Sequence, residues 1–332
     1  MTSLVPAPLP ARPEPPKERS PVRQIVVLLV LVVLVAAPLA LWTPDRDRAA
    51  LERRYLRAPA EMVELAEARL HVRDDGPRDA PVVLMLHGFG ASLHTWEPWA
   101  QALRDGWRVI RIDLPGHGLS GPDPTGDYTD ARAHALLLAL LDRLGVERAS
   151  LVGSSIGGRI AWSFAARHPE RVDALVLIAP DGFASPGRGY GDAPKVPWAM
   201  QLARWTLPRP LLRWGLAPAY ADPAVLTPAL FERYYELVLA PGVRAAMVQR
   251  LAQTVLEDPV PRLRQIGAPT LLLWGDADAL IPVANADDYL AALPDARKVV
   301  LPGIGHLPHE EAPARALEPV RAFLEEHVPP RR

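Results

Sequence analysis

The stretch Leu151-Val152-Gly153-Ser154-Ser155-Ile156-Gly157-Gly158 constrains this chain more than any other. The apolar run at 149–152 reads as the end of a buried strand. From 156 to 167 the apolar residues recur at helical spacing, with Ile160, Ala161, Phe164 and Ala165 on one face. Between the two, Gly153-Ser154-Ser155-Ile156-Gly157 fits G-x-S-x-G in a single register, with Ser155 at its centre. A strand that turns directly into a helix at a serine strains that residue and projects its hydroxyl outward. Side chains two positions to either side would strike neighbouring backbone, which is why glycine is needed there. The helix N-terminus below the hydroxyl favours negative charge beside it.

The rest of the chain supplies an architecture for such a bend. Apolar runs at 81–86, 174–179 and 270–274, with the stretches 107–112 and 297–301, read as strands. Helical patterns lie between and after them at 95–104, 129–144, 283–293 and 313–327, with Gly145 as a stop signal. This alternation predicts an α/β fold with a parallel sheet covered by helices on both faces. Two short antiparallel strands, 61–65 and 69–72, precede it. Residues 181–262 interrupt the rhythm with many prolines and with Trp198, Trp205, Trp214, Tyr220, Tyr234 and Tyr235. They read as an inserted helical lid whose aromatics form core or line an apolar acyl pocket. The core is thus expected at 61–180 and 263–328.

The N-terminus has a different character. Residues 1–24 contain seven prolines and few large apolar side chains, so they read as a disordered tail. Residues 25–42 are 18 positions without a charge. As a helix they span about 27 Å, close to the hydrocarbon thickness of a bilayer, and read as a transmembrane anchor joined by a linker at 43–60. A cleaved signal peptide is the competing reading, disfavoured by the long leader and the lack of a good A-x-A site. Basic residues flank the run on both sides, so the positive-inside balance does not choose an orientation. The tail is read as inside and the large domain as extracytoplasmic.

Composition excludes several classes of function. Thirty-seven basic and 38 acidic residues leave no net field for nucleic acid. The absence of cysteine removes disulfides, thiolate catalysis and Cys-based zinc sites. His309 follows His306 by three residues, but without an H-E-x-x-H pattern a metal site is disfavoured, and no cofactor is implied.

A serine hydroxyl is a weak nucleophile until an oriented base takes its proton. His306, in a Gly-flanked loop after the last strand, is the candidate base, and Asp278, directly after the preceding strand, is the candidate orienting acid. The order Ser155, Asp278, His306 suits this architecture. Ser154 remains an alternative hydroxyl, and Asp276 and Asp181 remain alternative acids; His87 and His117 read as loop-ordering residues. Residues 61–327 resemble the alpha/beta-hydrolase superfamily. The resemblance is carried by H-G-F-G at 87–90, D-x-P-G-H-G-x-S at 113–120, G-x-S-x-G at 153–157, W-G-x-x-D at 274–278 and G-x-G-H at 303–306. It implies a mostly parallel eight-stranded sheet, the Ser155–His306–Asp278 assignment, and an oxyanion hole from the amides of Phe89 and Ile156. The anchor and lid are similar to those of membrane-bound monoacylglycerol lipases. The expected function is hydrolysis of a small-molecule, lipid-like carboxylic ester. Carbon–carbon bond hydrolysis of the meta-cleavage type and a non-catalytic binding role on the same scaffold are the alternatives.

Overall fold

Strands that are apolar at every position can survive only where both faces are covered, and that is how the central strands lie. All residues of β3 (Val82–Leu86), β5 (Ala149–Ser154) and β7 (Thr270–Gly275) are buried, and β6 (Val172–Ile178) departs only at Asp173. With β1 (Met62–Leu65), β2 (Ala68–Asp75), β4 (Arg108–Ile112) and β8 (Ala296–Leu301) they form one eight-stranded sheet in the order β1-β2-β4-β3-β5-β6-β7-β8. The β1–β2 and β2–β4 pairs are antiparallel and all others parallel. The computed structural model describes residues 41–184, 189–191 and 195–331, with residues 22, 24–26, 28, 30, 31 and 36.

Alternation along the strands divides the core in two. Leu84, Leu86 and Leu151 face a cluster closed by the helices Asp130–Arg143, Ile156–Arg167 and Asn285–Ala292, through Leu137, Leu140, Phe164 and Tyr289. Val83, Met85 and Val152 face the opposite cluster, closed by Glu97–Leu103 and Pro313–His327 through Trp99, Leu103, Val320 and Phe323. Helix Asp130–Arg143 is capped by the Thr129 side chain, and Gly145 beyond it takes a φ of 65°. The parallel registers pair Leu86 with Gly153, Ser154 with Ile178, Ile178 with Leu273 and Gly275 with Leu301. The carboxyl ends of β3 and β5–β8 therefore finish at one edge, where loops from different strands can share a site.

Between β6 and β7 lie the helices Trp198–Gln201, Arg209–Leu216, Pro228–Val238 and Val243–Gln253, hereafter the cap. Its aromatics divide in a way the sequence reading did not anticipate. Tyr220, Tyr234 and Tyr235 are buried, whereas Trp198, Trp205 and Trp214 are exposed rather than core or pocket lining.

Residues Thr43–Arg332 are one compact unit and residues 1–42 another. The expected linker at 43–60 instead carries a helix, Arg48–Tyr55, capped by the Asp47 side chain. Leu51 and Tyr55, four apart, bury themselves against Leu119, Leu237 and Val243. Three arginines and a glutamate in eight residues hide that narrow apolar stripe in the sequence. Most of the expected tail at 1–24 and most of the expected span at 25–42 lie outside the described residues. Among the described residues no helix is long and apolar enough to cross a membrane.

Candidate active site

The bend between β5 and its following helix has the strain expected of it. Ser155 sits at φ 54° and ψ −119°, a region that a side-chain-bearing residue occupies at a cost on the order of 1–3 kcal/mol. Surrounding bonds hold it there: its N–H donates to Ile178 O at 3.0 Å, and its carbonyl accepts from Asp181 N and Arg159 N, each at 3.0 Å. The flanking glycines are sterically required. A Cβ at Gly153 would lie 2.4 Å from Gly157 O, and one at Gly157 would lie 2.2 Å from Leu86 O. Ser154, the alternative hydroxyl, is fully buried with its Oγ unpartnered, so it faces the core rather than the sheet edge.

The three candidate acids separate cleanly. Asp278 Oδ2 lies 2.7 Å from His306 Nδ1. Its other oxygen, Oδ1, accepts from Leu280 N at 2.8 Å and Ile281 N at 2.9 Å. Asp276 is exposed and accepts from Gly303 N at 2.6 Å, tying the β7 and β8 loops together. Asp181 is buried and pairs with Arg159 at 3.3 Å. The loop bearing His306 is clamped from two sides. Ala277 N donates to Ile304 O at 3.0 Å, and His306 N donates to Ala219 O of the cap at 2.9 Å.

Phe89 and Ile156 approach the bend from two strands. Gly88 lets the β3 loop close on Ser155: a Cβ there would lie 3.3 Å from Ser155 Cβ. Ile156 N opens the helix, and neither its N–H nor that of Phe89 donates to a backbone carbonyl among the described residues. His87 fixes this loop, as expected. Its Nδ1 lies 2.7 Å from Gly88 O and its Nε2 accepts from Leu114 N at 2.9 Å, which assigns the Nδ1–H tautomer. Burial pushes its pKa below the ordinary value, so the ring stays neutral. His117 packs edge-on to the His87 and Phe89 rings, and burial depresses it further.

Two structural groups escaped the sequence reading. Asp113 accepts from Leu93 N at 2.7 Å, Leu119 N at 2.8 Å and His71 Nδ1 at 2.8 Å, joining loops on both sides of β4. Burial opposes its charge, yet the His71 imidazole and these bonds hold the carboxyl well below the usual carboxylate range. Gly118 is glycine because a Cβ there would lie 2.2 Å from Asp113 Oδ2. Behind His306, buried Glu310 accepts from Tyr220 Oη at 2.7 Å, from Tyr234 Oη at 2.9 Å and from Arg233. No signal of spacing marks Glu310, because its partners lie about 80 residues away in the cap. His309 does not share a face with His306 toward a ligand. Its ring is buried against Trp96 with centroids 4.3 Å apart, and Nε2 lies 3.1 Å from Thr95 Oγ1.

Comparison with known proteins places this arrangement. The alpha/beta hydrolase fold pattern matches residues 81–313. The chain is 33% identical over 76% of its length to the dihydrolipoyllysine-residue acetyltransferase component of the acetoin cleaving system of Pseudomonas putida, and spans 65% of that protein. It is 29% identical over 73% of its length to 2-hydroxy-6-oxo-6-phenylhexa-2,4-dienoate hydrolase of Burkholderia cepacia, covering 86% of that enzyme. Among solved structures, a bacterial membrane phospholipase A superposes with a TM-score of 0.68 at 27% identity, over 92% of this chain and 97% of that one. The chain belongs to the alpha/beta hydrolase fold family.

Proposed function

We propose that this chain is a serine hydrolase of carboxylic esters with a lipid-like acyl group, working through an acyl-enzyme on Ser155. His306 Nε2 takes the hydroxyl proton as Ser155 Oγ attacks the ester carbonyl carbon. The Phe89 and Ile156 amides bind the carbonyl oxygen as it becomes negative, and the positive end of helix Ile156–Arg167 adds to that field. The imidazolium then gives its proton to the departing alcohol. Water, deprotonated by the same nitrogen, attacks the acyl carbon and releases the acid.

The observation that carries the reading is the Asp278–His306 contact of 2.7 Å. Both N–H donors on Asp278 Oδ1 leave Oδ2 as a pure acceptor, which makes Nδ1 the protonated nitrogen and leaves Nε2 as the base. A lipid-like substrate is supported by the similarity to the membrane phospholipase A and by the uncharged run at 25–42. In this reading that run anchors the enzyme, with the large unit on the extracytoplasmic side. Carbon–carbon hydrolysis is the second reading, favoured by the similarity to the phenylhexadienoate hydrolase.

Ser155→Ala should abolish release of p-nitrophenol from esters and labelling by a fluorophosphonate. Retained labelling would reject Ser155 as nucleophile. A wild-type preference for a dienoate diketone over every ester from C2 to C12 would move the assignment to the second reading.

A further inference from the structure

The cap carries an outward face that its own packing does not explain. In helix Arg209–Leu216 both arginines are exposed, yet each reaches back to a partner within the cap. Arg209 pairs with Glu232 and lies 4.6 Å from the centre of the Tyr235 ring, while Arg213 donates to Leu226 O at 3.0 Å. Leu212 and Leu216 pack onto the apolar cluster of the cap. Leu211 and Trp214 are left on the solvent side, with Trp214 77% exposed. The preceding turns repeat this arrangement: Trp198, Met200, Leu202 and Trp205 are all exposed. A water-facing helix buries its tryptophans, and here Trp214 stays outside beside the exposed arginines. Six large apolar side chains exposed between residues 198 and 214 exceed the single scattered ones of an ordinary surface.

Two further observations identify what covers this face. Residues 193–221 hold Lys195, Arg204, Arg209 and Arg213 and no acidic residue, and although Arg209 is paired with Glu232 the segment keeps a positive balance that attracts anions. The second is chain connectivity. The uncharged run of the sequence ends at Trp42, and the next residue, Thr43, is fastened to the cap. Its N–H donates to Trp205 O at 3.0 Å, its Oγ1 accepts from Leu207 N at 3.0 Å, and its carbonyl accepts from Arg244 at 2.7 Å. A run that enters a bilayer would thus end one peptide bond from the Trp205 turn. Tryptophan with arginine is the pairing of the headgroup layer, where an amphipathic ring meets acyl chain and carbonyl and a cation meets phosphate.

We propose that the outward face of residues 198–214 docks on an anionic phospholipid surface, with Trp198, Trp205 and Trp214 in the headgroup layer. The proposal rests on the membrane reading of residues 25–42 but not on the ester chemistry. It makes the cap a second, interfacial contact, oriented so that the substrate-bearing surface lies against the enzyme.

The chain has no cysteine, so Trp214→Cys in the full-length protein creates a single attachment point for an NBD fluorophore. Glu325→Cys, exposed on the C-terminal helix, provides the control. Both are reconstituted into phosphatidylcholine–phosphatidylglycerol vesicles containing a lipid with a nitroxide near the headgroup, in a Ser155→Ala background so that hydrolysis plays no part. The label at 214 should be quenched at least threefold more strongly than the label at 325. Equal quenching at the two positions overturns the proposal. A blue-shifted label at 214 without lipid quenching also overturns it, since a second protein copy then covers the face.

Discussion

Replacing Asp278 by Asn tests the site at the bond on which its chemistry depends. The change is nearly isosteric, so its effect must come from the distribution of hydrogen-bond donors. Asp278 Oδ1 faces two backbone donors, Leu280 N and Ile281 N, and can be replaced only by the amide oxygen. The NH2 group must then take the place of Oδ2, 2.7 Å from His306 Nδ1. A donor there forces Nδ1 to act as an acceptor, which puts the ring proton on Nε2. In the proposed mechanism that nitrogen receives the Ser155 proton. The expected loss in kcat is about 10^4-fold, or about 5.4 kcal/mol of transition-state stabilisation, with KM within a few-fold of wild type. Stopped-flow hydrolysis of p-nitrophenyl butyrate measures the loss, and a thermal melt checks that the fold is retained. Activity within tenfold of wild type, in a folded variant, would refute both the tautomer argument and the role of Asp278.

Gly157→Ala would put a methyl 2.2 Å from Leu86 O and 2.6 Å from His87 O, both backbone atoms that cannot move aside cheaply. A loss of about 3 kcal/mol in urea unfolding is expected, and an unchanged midpoint would refute the close approach. Burial holds His309 at a pKa of about 4, against about 6.5 for an unfolded histidine. A depressed folded pKa means that its contribution is fully present above pH 6.5 and is lost as pH falls toward 4. His309→Asn should therefore lose about 2 kcal/mol less than wild type between pH 7 and 4.5, and parallel pH profiles would contradict this. Glu310→Gln leaves Arg233 without its ion partner and weakens the acceptor for Tyr220 and Tyr234. Equilibrium unfolding should record a loss of about 3 kcal/mol, and wild-type stability would show that the cluster is not holding the cap to the His306 loop.

The local sequence carried the sheet and the bend because their determinants are local. Four strands with at most one charge each announce burial on both faces, and G-x-S-x-G announces a turn in which only glycine clears the neighbouring backbone. Sequence favoured Asp278 but left Asp181 and Asp276 open, since all three follow a strand at the same sheet edge. The choice depends on which carboxylate a ring 28 residues further on can reach. The helix at Arg48–Tyr55 was missed because its burial partners, Leu119, Leu237 and Val243, come from distant segments.

What the sequence determined by itself was therefore the architecture and the position of the strained bend at Ser155, both set by periodicity and by steric limits within a few residues. Only the tertiary structure decided which acid meets His306, that Ser154 faces the core, and that Glu310 ties the cap to the histidine loop. It alone tied the arginines of helix Arg209–Leu216 back to the cap and left Trp214 outward. Each of these depends on contacts between residues far apart in the chain, and such contacts exist only once the sheet and cap have closed around them.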